Sequence, residues 1–212
     1  MEIIKRDFGE ALKFLKRLKR YILISAAIFI LSAAAAYFVS VSVYSKDAGL
    51  IKDHLEIFNR IIDSTGVTDD QGNLDALTLF FYNFRAAMMA TGAGLMPLLF
   101  VPVFNCATNG AVIGIMLAIV NCTGTGGIAL MAASILPHGV FEMTALVLSI
   151  AFGLKLCAEV NEVVFARKSF NDVFMYIAEM ARATVLTILP LLIIAALMES
   201  YITPLCIEQF IK

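Results

Sequence analysis

Apolar residues run through the chain in long blocks, and charged residues gather between the blocks. Residues 21–44 contain no charged side chain; about 24 residues are enough to cross a bilayer with some tilt. Residues 77–104 form a second block. Arg85 lies within it, roughly 12 Å in at 1.5 Å per residue, and Pro97 and Pro102 are expected to bend or break its inner half. Residues 105–110, NCATNG, read as a turn, and 111–120 return as a short third segment. Gly110 and Gly114 stand at the GxxxG spacing that allows a neighbouring helix to cross closely, while Gly92 and Gly94 permit close approach without that spacing. Residues 121–127, NCTGTGG, read as a loop. Residues 128–156 are too long for one straight span, and Pro137-His138-Gly139 interrupts them. The pattern predicts a short re-entrant or half helix over 128–136, a break, and a fourth span over 140–156; one kinked helix is the alternative. Residues 183–207 form the fifth span, with Pro190 as a kink.

The segments between the blocks have patterns of their own. In residues 1–20 Phe8, Leu12, Leu15 and Leu18 recur at helical spacing beside Ala11, while Lys13, Lys16, Arg17, Lys19 and Arg20 fill the other faces. This predicts a basic amphipathic helix on an anionic membrane surface; a solvated lead-in whose charges only set topology is the plainer reading. Residues 45–75 hold an apolar stripe, Ile51, Leu55, Phe58 and Ile62, and predict an external amphipathic helix stopped by Gly66, then a turn over 68–73. That stripe either packs on the protein's own bundle or receives a partner's domain, as does the loop 121–127. Residues 155–182 carry four basic and four acidic residues and predict a solvated helix.

Composition sharpens this into a membrane protein. The chain is 60% hydrophobic and 16% charged, where soluble domains are about half apolar and a quarter charged. The expectation is an all-α polytopic membrane helix bundle: residues 1–20 as a cytoplasmic helix and 21–212 as a single membrane domain with about five transmembrane spans. The basic cluster before the first span places the N-terminus in the cytoplasm and, after five crossings, the C-terminus outside the cell. No cleavable leader is expected. Net charge is −1, with no basic patch suited to nucleic acid. Four cysteines stand singly, without CxxC spacing, and read as buried thiols; a disulfide between Cys122 and Cys206 is the minor alternative.

Candidate chemistry is confined to polar groups inside the apolar blocks: Asn83, Arg85, Asn105, Asn109, His138, Glu142 and Glu199. No soluble-enzyme motif is present, and no enzymatic activity is expected. His138 and Glu142 lie one turn apart on one helix face. The leading reading is a structural pair, with His138 donating to the carboxylate or to a carbonyl freed by Pro137. A proton relay or substrate-binding pair comes next. A metal site comes last, because zinc wants at least three protein ligands and a third would have to come from Cys, Glu199 or a second subunit. No metal and no cofactor are expected. Arg85 is too costly to leave unpaired at depth; the expectation is an ion pair with Glu199 or, second, Glu142, with snorkelling to the headgroups as the alternative.

Leu136-Pro137-His138-Gly139-Val140-Phe141-Glu142, followed by an apolar helix reaching Gly153-Leu154, resembles the signature of the stage II sporulation protein M family. So do Asn83, the glycines Gly92 and Gly94, Asn109-Gly110 and Gly114 upstream; Arg85 departs from the family's pattern. The resemblance covers residues 79–156 and makes Pro137, His138, Gly139, Glu142, Asn109 and Gly110 the signature positions. It implies a non-enzymatic scaffold in the cell membrane. In spore formers such proteins belong to the engulfment machinery of sporulation and anchor or localise peptidoglycan-degrading partners, the stage II sporulation proteins D and P. The partners implied are therefore membrane lipid, membrane or extracytoplasmic proteins and, given the small interhelical residues, a second copy in a homodimer. The alternative is a small transporter or channel built on His138, Glu142 and Arg85.

Overall fold

A computed structural model describes residues 2–65, 75–98, 101–124 and 127–206; within helices, the side chains of residues 2–4, 61–65 and 127–136 lie outside the description. The elements are α1 (Glu2–Arg17), α2 (Lys19–Tyr44), α3 (Gly49–Thr65), α4 (Ala76–Gly92) with a 3₁₀ turn (Ala93–Leu95), α5 (Val101–Thr123), α6 (Gly127–Val164), α7 (Phe170–Ala183) and α8 (Leu189–Leu197). Among the described residues there is no strand. α7 and α8 belong to one continuous helix, Phe170–Cys206. It contains π-helical turns at Thr184–Ile188 and Met198–Ile202. Pro190 supplies no N–H to the helix ladder, and the first π turn widens the coil just before it.

Among the described residues, four helices are long and apolar enough to cross a membrane: α2, α5, α6 from Pro137 onward, and Phe170–Cys206. α4 is shorter at 17 residues, about 26 Å. These five alternate in direction. At one end of the bundle, Phe14 of α1 meets Phe152 and Tyr176, with ring centroids 5.4 and 5.5 Å away. At the other end, α3 lies on the α2–α5 pair and His138 meets Thr203. α6 contacts α2, α4, α5 and α8 and contributes a run of fully buried residues, Ile150, Ala151 and Phe152.

Glycines decide how closely the helices approach. Along α2 and α5 a methyl group at Gly110 would overlap Ser32 Oγ and the Phe29 carbonyl. One at Gly114 would overlap the Ala33 carbonyl and come within 2.9 Å of Tyr37 N. The GxxxG spacing therefore places backbone against backbone, as expected from the sequence. Gly94 lies against the backbone of Gly153, and a Cβ at Gly153 would stand 2.5 Å from the Ala90 carbonyl. Gly92, by contrast, has nothing near it.

The break in the chain lies elsewhere than the sequence suggested. α6 runs unbroken through Pro137, so the re-entrant half helix over 128–136 is replaced by one long helix. A proline removes one N–H and leaves its own helical φ undisturbed, a loss that packing absorbs. The true break is between α4 and α5, at Met96–Leu98, where Leu98 takes a left-handed φ of 67°. α6 satisfies the freed backbone. The Asn161 carboxamide accepts from Leu98 N at 2.9 Å, and the Cys157 thiol donates to the Met96 carbonyl at 3.5 Å. Consequently residues 105–110 are helix rather than a turn, and the short third segment becomes the 23-residue α5.

Two further expectations change. The stretch 155–182 is two helices, the end of α6 and α7. They are joined by a turn that Ser169 and Asp172 close with a capping box. α1 buries Ala11 and Phe14 against protein, as does Leu18 just after it, and leaves Phe8 and Leu12 exposed, so much of its apolar face already has a protein partner. At the start of α4 Asp75 accepts from Thr78 N at 2.8 Å and from its hydroxyl, which holds the Asp75 carboxyl below the usual carboxylate range. Gly66 and the turn 68–73 lie outside the described residues.

The glycine contacts make a paired prediction. Gly114→Leu should destabilise the chain by about 3 kcal/mol through overpacking. Gly92→Ala should be neutral or stabilising by about 0.5 kcal/mol, since open space and a helical backbone favour the methyl. Thermal unfolding in detergent, followed by circular dichroism, distinguishes the two; equal effects would refute the backbone contact.

Candidate functional site at the α6–α8 end

α6 presents His138 and Glu142 on successive turns. The π turn after α8 presents Glu199, and Thr203 follows four residues later. One ligand atom from each of His138, Glu142 and Glu199 can be chosen so that all three lie within 4.8 Å of one another, and each residue is partly exposed. His138 Nδ1 forms a hydrogen bond of 3.2 Å with Thr203 Oγ1. That bond replaces the expected His138–Glu142 hydrogen bond. A residue four positions along α6 points the same way as His138, but a hydroxyl from the neighbouring helix reaches the ring more directly. Glu142 and Glu199 form no hydrogen bond or ion pair among the described residues. Gly139, next to His138, is buried.

Depth follows from length. Lys155 and Glu159 mark the polar end of α6. A hydrocarbon layer of about 30 Å spans about 20 residues, so counting back from Lys155 reaches the region of Pro137. His138 thus sits near the other boundary of the apolar layer, with Glu142 one turn deeper.

Arg85 is not part of this site. It is exposed on α4, in line with the exposed Leu77, Phe81 and Met89, and forms an ion pair with neither Glu199 nor Glu142. Axial position explains the correction. Leu79 packs against Ala196; Arg85 lies six residues beyond Leu79 in one direction and Glu199 three beyond Ala196 in the other. At 1.5 Å per residue that is about 14 Å of axial separation. Snorkelling, the alternative the sequence left open, fits this placement. Asn109 is also elsewhere: it donates to the Asn105 carbonyl at 2.8 Å within α5, next to the Gly110 crossing.

The sequence reading missed Thr203, although Glu199 and Thr203 recur one turn apart in an otherwise apolar helix. It also missed the polar cluster at the opposite end of α6. There Glu159, 6% exposed, is held by Lys155 and by Lys168 at 2.6 Å. The Glu159 hydrogen bond raises the Lys168 pKa above the ordinary lysine value. Arg17 and Glu179 pair at 2.8 Å beside it, and a cleft of about 450 Å³ opens between α1, α6 and α7. All four cysteines are free thiols, with Cys122 exposed and Cys206 half-buried.

Of the partner-contact candidates, Ile51 and Phe58 pack on Tyr44, Ala118 and Ile119. Leu55 is exposed at one edge of the stripe and Ile57 at the other. The side chain of Ile62 lies outside the described residues.

The placement of Arg85 is tested by charge reversal. Arg85→Glu combined with Glu199→Arg should show coupling below about 0.5 kcal/mol in a double-mutant cycle, as expected for separated sites. Rescue of one variant by the other would restore the ion pair.

Comparison with known proteins adds the following. A sequence profile described as stage II sporulation protein M matches residues 25–204, a range that includes the whole His138–Glu142–Glu199–Thr203 group and excludes α1. An uncharacterised protein of Methanocaldococcus jannaschii is 31% identical over 100 residues, 47% of this chain and 55% of the relative. The chain thus matches about half the length of that relative. No solved structure matches significantly.

Proposed function

This chain belongs to the stage II sporulation protein M family, and we propose that it acts as an integral membrane scaffold. In this reading it holds partner proteins at the outer face of the membrane; in a spore former these are peptidoglycan-degrading engulfment proteins. The observation that carries the reading is α3. It is an amphipathic helix outside the spans, fixed to the bundle by Ile51 and Phe58, with Leu55 and Ile57 left exposed. A helix held on one side, with Leu55 and Ile57 exposed at the two edges of the held stripe and Lys52, Asp53, Glu56 and Arg60 turned outward, is a pre-organised docking element, which lowers the entropy a partner must lose on binding. The basic residues of α1 and of the α6–α7 turn lie at the opposite end, and by the positive-inside rule they favour an orientation with α3 outside and the N-terminus inside.

Orientation is tested with the native thiols. A membrane-impermeant maleimide applied to intact cells should label Cys122, exposed at the α3 end, and leave the buried Cys157 unmodified. Labelling of Cys122 only after permeabilisation would invert the topology and remove α3 from the outside.

Docking is tested by reconstituting the full chain with an extracytoplasmic peptidoglycan-degrading protein of the same cell. Leu55→Asp with Ile57→Asp should weaken co-purification at least about tenfold, equivalent to about 1.4 kcal/mol, with helical content unchanged. Undiminished capture by this variant would exclude α3 as the docking element.

A further inference from the structure

We infer that His138, Glu142 and Glu199 form a binding site for a divalent first-row transition-metal ion between α6 and the end of the last helix. The inference goes beyond the scaffold role and does not depend on it. Three observations carry it.

The first is the donor set. One imidazole and two carboxylates, contributed by two helices, bring ligand atoms within 4.8 Å of one another. Ligands on a tetrahedral ion at about 2.1 Å stand about 3.4 Å apart, so side-chain rotations of about an ångström close the set. Nitrogen and carboxylate oxygen together suit zinc or manganese better than magnesium or calcium. Three protein ligands leave a fourth position for water or an incoming ligand.

The second is charge. Glu142 and Glu199 stand close together near the apolar layer, and among the described residues neither forms a hydrogen bond or an ion pair. Arg85, the nearest cationic candidate on α4, is displaced along the axis and exposed. Two carboxylates so close at such depth need either a shared proton or a compensating positive charge. A divalent ion provides it, and the partial exposure of all three ligands gives it a way in.

The third is support. His138 Nδ1 is held by Thr203 Oγ1 at 3.2 Å, the way a ligating imidazole is commonly fixed through its second nitrogen. That leaves Nε2 for the ion. Glu199 lies in the π-helical turn Met198–Ile202, a local widening often found where a helix directs a functional side chain.

The test uses the full chain purified in detergent or nanodiscs without chelator. Zinc content is measured by mass spectrometry, and zinc affinity by competition with a chromogenic chelator. The wild type should hold about one zinc per chain. Glu199→Gln and His138→Ala should reduce affinity at least about 100-fold, and Thr203→Val about 10-fold. Cobalt substitution of the wild type reads the ligand set without any variant: an intense tetrahedral band lacking thiolate charge transfer is expected. No zinc bound above buffer background would overturn the site. So would stoichiometric zinc in Glu199→Gln, a thiolate signature, or displacement of zinc by equimolar calcium or magnesium. Circular dichroism of each variant separates loss of the ligand from loss of the fold; if a ligand variant does not fold, wild-type stoichiometry and the cobalt spectrum decide.

Discussion

Backbone-to-backbone contact at four glycines is the constraint on which the rest of this bundle depends. Helices in a bilayer gain little from hiding apolar surface, because the lipid is equally apolar. They hold together through close packing and a few polar contacts. Gly110 and Gly114 seat α5 on α2, and Gly94 meets Gly153 to seat the end of α4 on α6. Tightening both contacts fixes α6 between its neighbours, and α6 carries the polar groups at both ends. The Thr91 hydroxyl donates to the Ser149 carbonyl at 3.1 Å and adds a polar clasp beside the Gly94–Gly153 contact. α2, by contrast, is almost wholly exposed away from α5, as expected of a helix whose outer face meets lipid.

The second constraint is that an interrupted helix must find partners for its backbone. The α4–α5 break is bridged by Asn161 and Cys157, four residues apart on α6. Their spacing puts both on one face, opposite the break. The same helix that is locked by Gly153 therefore also terminates its neighbours. A free thiol here acts as a weak donor rather than as a reactive group, consistent with its burial.

The apolar blocks, the glycine crossing and the polar His–Glu turn were legible in the sequence because each depends on local spacing. The location of the break was not. Pro137 and Pro97 give the same local signal, and what separates them is whether a neighbour can satisfy the backbone: Asn161 lies 63 positions from Leu98. Arg85 and Glu199 looked matched by counted depth, but the Leu79–Ala196 contact sets a different register. Thr203 could be recognised only once the last helix was placed beside α6. Ile51 and Phe58 illustrate an ambiguity of another kind, since an amphipathic stripe does not reveal whether its own bundle or a partner will cover it.

The two ends of α6 handle a carboxylate in opposite ways. At one end Glu159 is buried, and two lysines converge on it, one from the preceding turn of α6 and one from across the α6–α7 turn. At the other, Glu142 and Glu199 lie close together beside an imidazole, with no cation paired to them among the described residues, and that imidazole is already engaged by a hydroxyl. Both solutions occur on the same helix, so the difference reflects local placement rather than any general inability of the fold to supply cations. Charge at the Lys155 end is neutralised internally and reinforces the join between α1, α6 and α7. Charge at the His138 end is left open to a small cation from outside the chain. Because His138 and Thr203 come from two different helices at this end of the bundle, occupancy of the site would tie α6 near His138 to the end of the last helix.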